Sequence, residues 1–107
     1  MAIVTTAKHQ ARAAILKAMA HPSRLMIIEA LTRRKRCVQE LTDRVGADMS
    51  TVSRHLSVLK QAGIVKDDKE GTTVYYTLLC PCIMNFMGCV EKVIQDKARR
   101  HLALVSK

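Results

Sequence analysis

The sequence predicts a mainly α fold with a small antiparallel β-hairpin: an α+β winged helix-turn-helix of about five helices plus a wing. Three observations carry the prediction. A short helix capped by Asp48 has a dry face and a face of hydroxyls and arginine. A tight turn containing Gly46 joins it to a short helix before it. A strand-turn-strand pattern starts as soon as Gly63 has stopped it. The 107 residues are enough for one domain, spanning 1–107, with a core modest enough to benefit from a partner subunit.

The first element, from about Ala7 to Ala20, is Ala-rich with Lys8, Arg12 and Lys17 spaced along it. It reads as a helix whose small-residue face suits close packing on another helix. A second helix begins at His21-Pro22-Ser23, where proline fits because the first-turn N–H has no helical partner. Leu25, Ile28 and Leu31 mark its expected buried stripe. The run Arg33-Arg34-Lys35-Arg36 then reads either as a solvated helix end opposing the negative end of the dipole or as a contact to DNA phosphate.

Val38 to Val45 forms the next short helix, with Leu41 inward and Gly46 as a left-handed stop. In the helix after the turn, Val52, Leu56 and Leu59 point inward, and Ser50, Arg54, Ser57 and Gln61 fall on the opposite side. Ile64–Lys66 and Thr73–Leu79 are strand-like, and Asp67-Asp68-Lys69-Glu70-Gly71 between them reads as a turn. From Pro81 onward Met84, Met87, Val90 and Ile94 recur at helical spacing, with Ile83, Phe86 and Val93 beside them. That is more apolar surface than one small domain covers, so the N- and C-terminal helices are expected to form a homodimer interface.

Composition narrows the function. Lys and Arg total 18 against 9 acids, a net charge of +9, which favours a polyanionic partner over a charge that serves solubility alone. Aromatics are limited to Tyr75, Tyr76 and Phe86. Single-stranded nucleic acid is usually held on stacking platforms, so duplex DNA is the better match. No apolar run approaches the roughly 20 residues of a membrane span. Met1 to Thr6 lacks the build of a signal peptide, which implies a cytoplasmic protein with reduced thiols. No phosphate loop or Cys–His pair points to an enzyme.

A helix that enters the major groove needs short polar and forked cationic side chains near its start. Thr51, Ser53, Arg54 and His55 meet that need, Ser57 lies on the same open side, and Arg54 can fork onto a guanine edge or grip a phosphate. Ser50 and Thr51 sit where hydroxyls and helix N–H groups hold phosphate, and Lys60 is placed for the DNA backbone. His55 has several roles open to it: a base contact, a hydrogen bond within the fold, or a dimer or phosphate contact. The plain alternative, an ordinary amphipathic surface helix, leaves the cap, the Gly turn and the hairpin without a purpose. A dimer would present two such helices about one DNA turn apart to a pseudo-palindromic double-stranded operator.

The text Leu16–Leu25, Cys37-Val38-Gln39-Glu40-Leu41, Ser50–Val65 and Glu70–Leu78 resembles the ArsR/SmtB family of metal- and metalloid-sensing repressors, arsenic-responsive type. The resemblance covers most of the chain. It implies a dimeric winged-helix repressor that leaves its operator on binding an effector, with no obligatory cofactor. The chain departs from that pattern where arsenic and cadmium sensors often carry Cys-Val-Cys, because Gln39 replaces the second cysteine. Its wing is also acidic at Asp67, Asp68 and Glu70.

The cysteines are Cys37, Cys80, Cys82 and Cys89. Cys80 and Cys82 flank Pro81 at a helix start, where thiolate is expected to be favoured. Cys89 lies two turns beyond Cys82. The winged-helix plan pairs a short strand near Cys37 with the second wing strand, so Cys37, Cys80 and Cys82 are expected to form a trigonal pocket, with Cys89 as a replacement from either subunit. Sulfur donors favour soft ions. The resemblance points to As(III)/Sb(III) as effector, with Cd²⁺, Pb²⁺ or Zn²⁺ behind. Thiol redox or persulfide sensing on the same fold, and cysteines that are merely small buried hydrophobes, remain open.

Overall fold

The computed structural model describes residues 2–106, with side chains from residue 6 onward. Part of the N-terminal stretch read for a signal peptide lies outside the described residues. The elements run α1 (Ala2–Met19), α2 (Pro22–Leu31), β1 (Arg36–Cys37), α3 (Val38–Val45), α4 (Met49–Gln61), β2 (Val65–Glu70), β3 (Thr73–Leu78) and α5 (Ile83–Val105). Five helices and a three-stranded antiparallel sheet of order β1-β3-β2 make the expected winged helix-turn-helix. Among the described residues, no helix is long and apolar enough to cross a membrane.

One core holds these elements together. Ile27, Ile28 and Leu31 from α2, Leu41 from α3, and Val52, Leu56 and Leu59 from α4 are buried with Ile64, Val65 and Leu78 of the sheet. Leu25 was expected in that stripe but is exposed, because α2 turns Ile27 and Ile28 to the core and leaves Leu25 facing α5. Gly46 sits at φ 77, the left-handed geometry that lets α3 end sharply and α4 start on the Asp48 cap.

The wing is longer than its sequence pattern indicates. Asp67 to Glu70 belong to β2 and pair with Tyr76 to Thr73, leaving Gly71-Thr72 as the turn, with Gly71 at φ 66. The backbone ladder holds the polar run, and its three carboxylates are each paired with a lysine. Lys60 pairs with Asp67 at 3.0 Å, Lys66 with Asp68 at 3.7 Å, and Lys35 with Glu70. Lys35 also lies 5.0 Å from the centroid of the Tyr75 ring.

The basic run after α2 is mostly structural. Arg36 is buried and its Nε donates to the Ala30 carbonyl at 2.9 Å, satisfying the end of α2. Arg34 pairs with Glu40 at 2.6 Å. Of the two readings of this run, neither a free solvated end nor a phosphate contact describes these two arginines, whose side chains are engaged within the fold.

The radius of gyration is 17.2 Å. A compact chain of this length has about 13 Å. The excess comes from α1 and α5, which stand out from the core. No residue of α5 is buried, and only Ile83, Met84 and Met87 in its first turns pack on the core. Ile15, Leu16, Phe86, Val90, Val93 and Ile94 are exposed along the two helices.

Candidate nucleic-acid interface and thiol centre

The recognition element is α4. Asp48 caps it, with Oδ1 accepting from the Thr51 N–H and from the Ser50 hydroxyl, each at 2.8 Å. These bonds hold the Asp48 carboxyl well below its ordinary value, at about 2. Ser50 therefore faces solvent with its proton engaged in the cap. Ser53, Arg54, Ser57 and Lys60 are exposed, Thr51 is half-buried, and Val52, Leu56 and Leu59 are buried on the opposite side. The predicted DNA-facing residues thus share one side of the helix, with one exception.

That exception is His55, which is only 8% exposed. Its Nδ1 accepts from Nε of Arg24 at 3.0 Å, and its ring lies 4.4 Å from that of His21. Arg24 also donates to the Ala18 carbonyl at 3.2 Å. Of the roles open to His55 in the sequence, the structure selects the hydrogen bond within the fold, and a base contact is corrected. Burial first, and the neighbouring His21, Arg24 and Arg54, push its pKa down. Arg24 was not singled out from sequence, since its partner lies 31 residues away.

The cysteines do not gather as expected. β1 does pair with β3, but Cys37 lies opposite Tyr75. Cys80 follows five residues later, beyond the end of β3, and a strand advances about 3.3 Å per residue. Cys37 instead caps α3: its N–H donates to Glu40 Oε1 at 3.2 Å, and its thiol adds to the bonds that hold Glu40 at about 2, after those from Arg34 and the Cys37 backbone. Cys82 and Cys89 are both exposed, and seven helical residues separate them by roughly 10 Å along the axis, too far to share one ion. Among the described residues, no group of three donors is placed to hold a metal ion. A trigonal site inside one protomer is therefore a correction.

Cys80 and Cys82 flank Pro81 just before α5. Cys80 packs against the core, and burial first, then the neighbouring Cys82, pushes its pKa up. The expected thiolate preference at the helix start is reversed for this residue, because desolvation outweighs the helix terminus.

Comparison with known proteins follows the same outline. Residues 21–67 match the model of the bacterial regulatory protein arsR family. The chain is 34% identical over 87 residues to the HTH-type transcriptional regulator Rv0081 of Mycobacterium tuberculosis, covering 80% of this chain and 76% of that one. The crystal structure of Rv0081 superposes with a TM-score of 0.77 at 32% identity, over 88% of this chain and 95% of that chain. The HTH-type transcriptional repressor SmtB of the same organism is 41% identical over 64 residues, 60% of this chain and 47% of its own length. The homodimeric winged helix-turn-helix DNA-binding domain Mb0332 of Mycobacterium bovis gives a TM-score of 0.73 at 29% identity, over 91% of this chain and 89% of that domain.

Proposed function

The chain belongs to the arsR family of bacterial regulatory proteins, and from that premise we propose that a homodimer of it grips a pseudo-palindromic operator through α4 and lets go when the chemistry of Cys80 and Cys82 changes. The family and the relatives are transcriptional regulators rather than enzymes, and SmtB among them is a repressor. The observation that carries the DNA reading is the one-sided display on α4. Ser50, Ser53, Arg54, Ser57 and Lys60 are exposed while the opposite face is anchored in the core; in this reading Ser53, Arg54 and Ser57 meet bases, and Ser50, Thr51 and Lys60 meet phosphates.

Dimerisation explains the exposed helices. Leu16 of α1, Leu25 of α2, and Phe86 and Val90 of α5 surround one apolar recess, and a second copy would cover what a monomer leaves wet. The whole chain then acts as one DNA-binding domain with its first and last helices at the interface. A regulator of this kind works in the cytoplasm, beside its operator and with its thiols reduced.

The effector reading rests on the Cys80–Cys82 pair. A thiophilic ion, As(III)/Sb(III) first and Cd²⁺, Pb²⁺ or Zn²⁺ next, suits sulfur donors. Two thiols are too few for it within one protomer, so a further donor has to come from the second subunit. Oxidation or persulfidation is the second reading, favoured because it needs no more than two thiols, and Cys80 and Cys82 stand two residues apart with Cys82 exposed. Either effector must favour the free dimer over the DNA-bound one, with a coupling of about 1–3 kcal/mol.

The test is a gel shift on duplex from the protein's own upstream region, across salt, with thiols reduced. A steep loss of binding with salt is expected. Titration of the complex with arsenite, Cd²⁺ and a persulfide donor, in the wild type and in Cys80→Ser, then separates the effectors. Dimers that ignore this duplex even in dilute buffer end the reading.

A further inference from the structure

Arg24 joins three helices at one point. Its side chain leaves α2, ties the last turn of α1 through the Ala18 carbonyl, and ties α4 through the His55 imidazole. His21, which caps α2 by accepting from the Ser23 N–H at 3.1 Å, lies against the same imidazole. α1 is a dimer helix in the reading above and α4 carries the DNA-facing residues, so this node spans the two.

The hydrogen-bond polarity at the node admits one arrangement. Arginine stays charged and only donates. His55 Nδ1 must therefore hold a lone pair, and Nε2 carries the ring proton. A proton taken from solvent by Nδ1 fills that lone pair, sets N–H against N–H, and places a cation against Arg24. The charged groups acting on the ring are His21, Arg24 and Arg54, and Lys17 of α1 lines the adjoining recess with Arg24. Burial first, then His21, Arg24 and Arg54, oppose a positive charge on the ring, and the pKa of His55 is lowered accordingly. That recess, lined also by Ala14, Ala18 and Val58, opens to solvent beside Arg24.

We propose that Arg24 is the positioning residue of the recognition helix, and that its bond to His55 is a proton-sensitive latch: neutral imidazole holds α4 in the DNA-competent pose and protonation releases it. The proposal rests on the DNA-binding reading above. Its sign is distinctive. A surface histidine near phosphate tightens DNA binding as pH falls, whereas this latch weakens it. Asp48 and Glu40, held at about 2, do not titrate in the same window.

The experiment measures affinity of the reduced wild-type dimer for duplex from its own upstream region between pH 8 and 5.5, at fixed ionic strength, with circular dichroism at each pH. Expected is a loss approaching tenfold per pH unit for each engaged recognition helix once His55 takes its proton. His55→Asn places an amide oxygen near the Nδ1 position and accepts from Arg24 at every pH, so its affinity should stay flat. Arg24→Met should weaken binding at pH 8, and Arg24→Lys should restore part of it. Affinity that is constant or rises as pH falls, in a folded wild type, overturns the latch alone. No binding at pH 8 in dilute buffer overturns the DNA reading and the latch with it. Should His55→Asn fail to fold, nitrogen NMR of the wild type decides: Nδ1 without a proton at pH 8 supports the latch, and an Nδ1–H tautomer overturns it.

Discussion

Lys60 on the recognition helix is bound to Asp67 on the wing at 3.0 Å. The wing's acidity is thereby explained: each of its carboxylates answers a lysine, two of them from outside the hairpin. Such exposed pairs add little to stability. Their effect is on the charge that α4 and the wing show to DNA. In Asp67→Asn, Lys60 is released, so non-specific duplex affinity should rise and the dependence of binding on salt should steepen by about one unit. An unchanged slope would mean that Lys60 never meets a phosphate.

Arg54 stands on the open side of α4. Arg54→Ala should cost about 1–3 kcal/mol of operator affinity and relax sequence preference at one position per half-site. A uniform loss across all duplex sequences would place Arg54 on a phosphate instead.

The thiols should separate by role. Cys37 is committed to the α3 cap, so Cys37→Ser should still release operator on arsenite or persulfide treatment, whereas Cys80→Ser should not. Anisotropy of the preformed complex during titration reads both. Loss of response in Cys37→Ser would return Cys37 to the sensing site.

Acid should unfold the protein partly through its caps. Asp48 and Glu40 have folded values of about 2, below their ordinary values, so the stability they contribute is present above the ordinary carboxylate range and is lost as pH falls through about 2. Asp48→Asn keeps an acceptor for the Thr51 N–H but does not titrate. Urea melts between pH 5 and 2 should show a shallower acid loss in this variant, and identical pH profiles would argue against the cap.

The apolar helices should hold the dimer. Val90→Asp or Phe86→Asp places a charge on the face of α5 that is bare in one chain. Sedimentation should show monomers, and duplex affinity should fall because two linked recognition helices become two separate ones. Dimers that persist in both variants would move the interface elsewhere.

Local chemistry alone determined much of this protein. The Gly46 turn, the Asp48 cap and the spacing of Val52, Leu56 and Leu59 are short-range features, and they placed the helix-turn-helix and its two faces correctly. The spacing even puts His55 beside the buried stripe, three residues after Val52. The tertiary structure decided what lies between distant segments. Arg24 meets His55 across 31 residues, Lys35 meets Glu70 across 35, and the ladder register puts Cys37 opposite Tyr75 rather than beside Cys80. Helical periodicity and capping act within a turn or two of the chain, whereas ion pairs, ladder register and thiol proximity depend on how the elements dock, and that is set by the shape of the shared core.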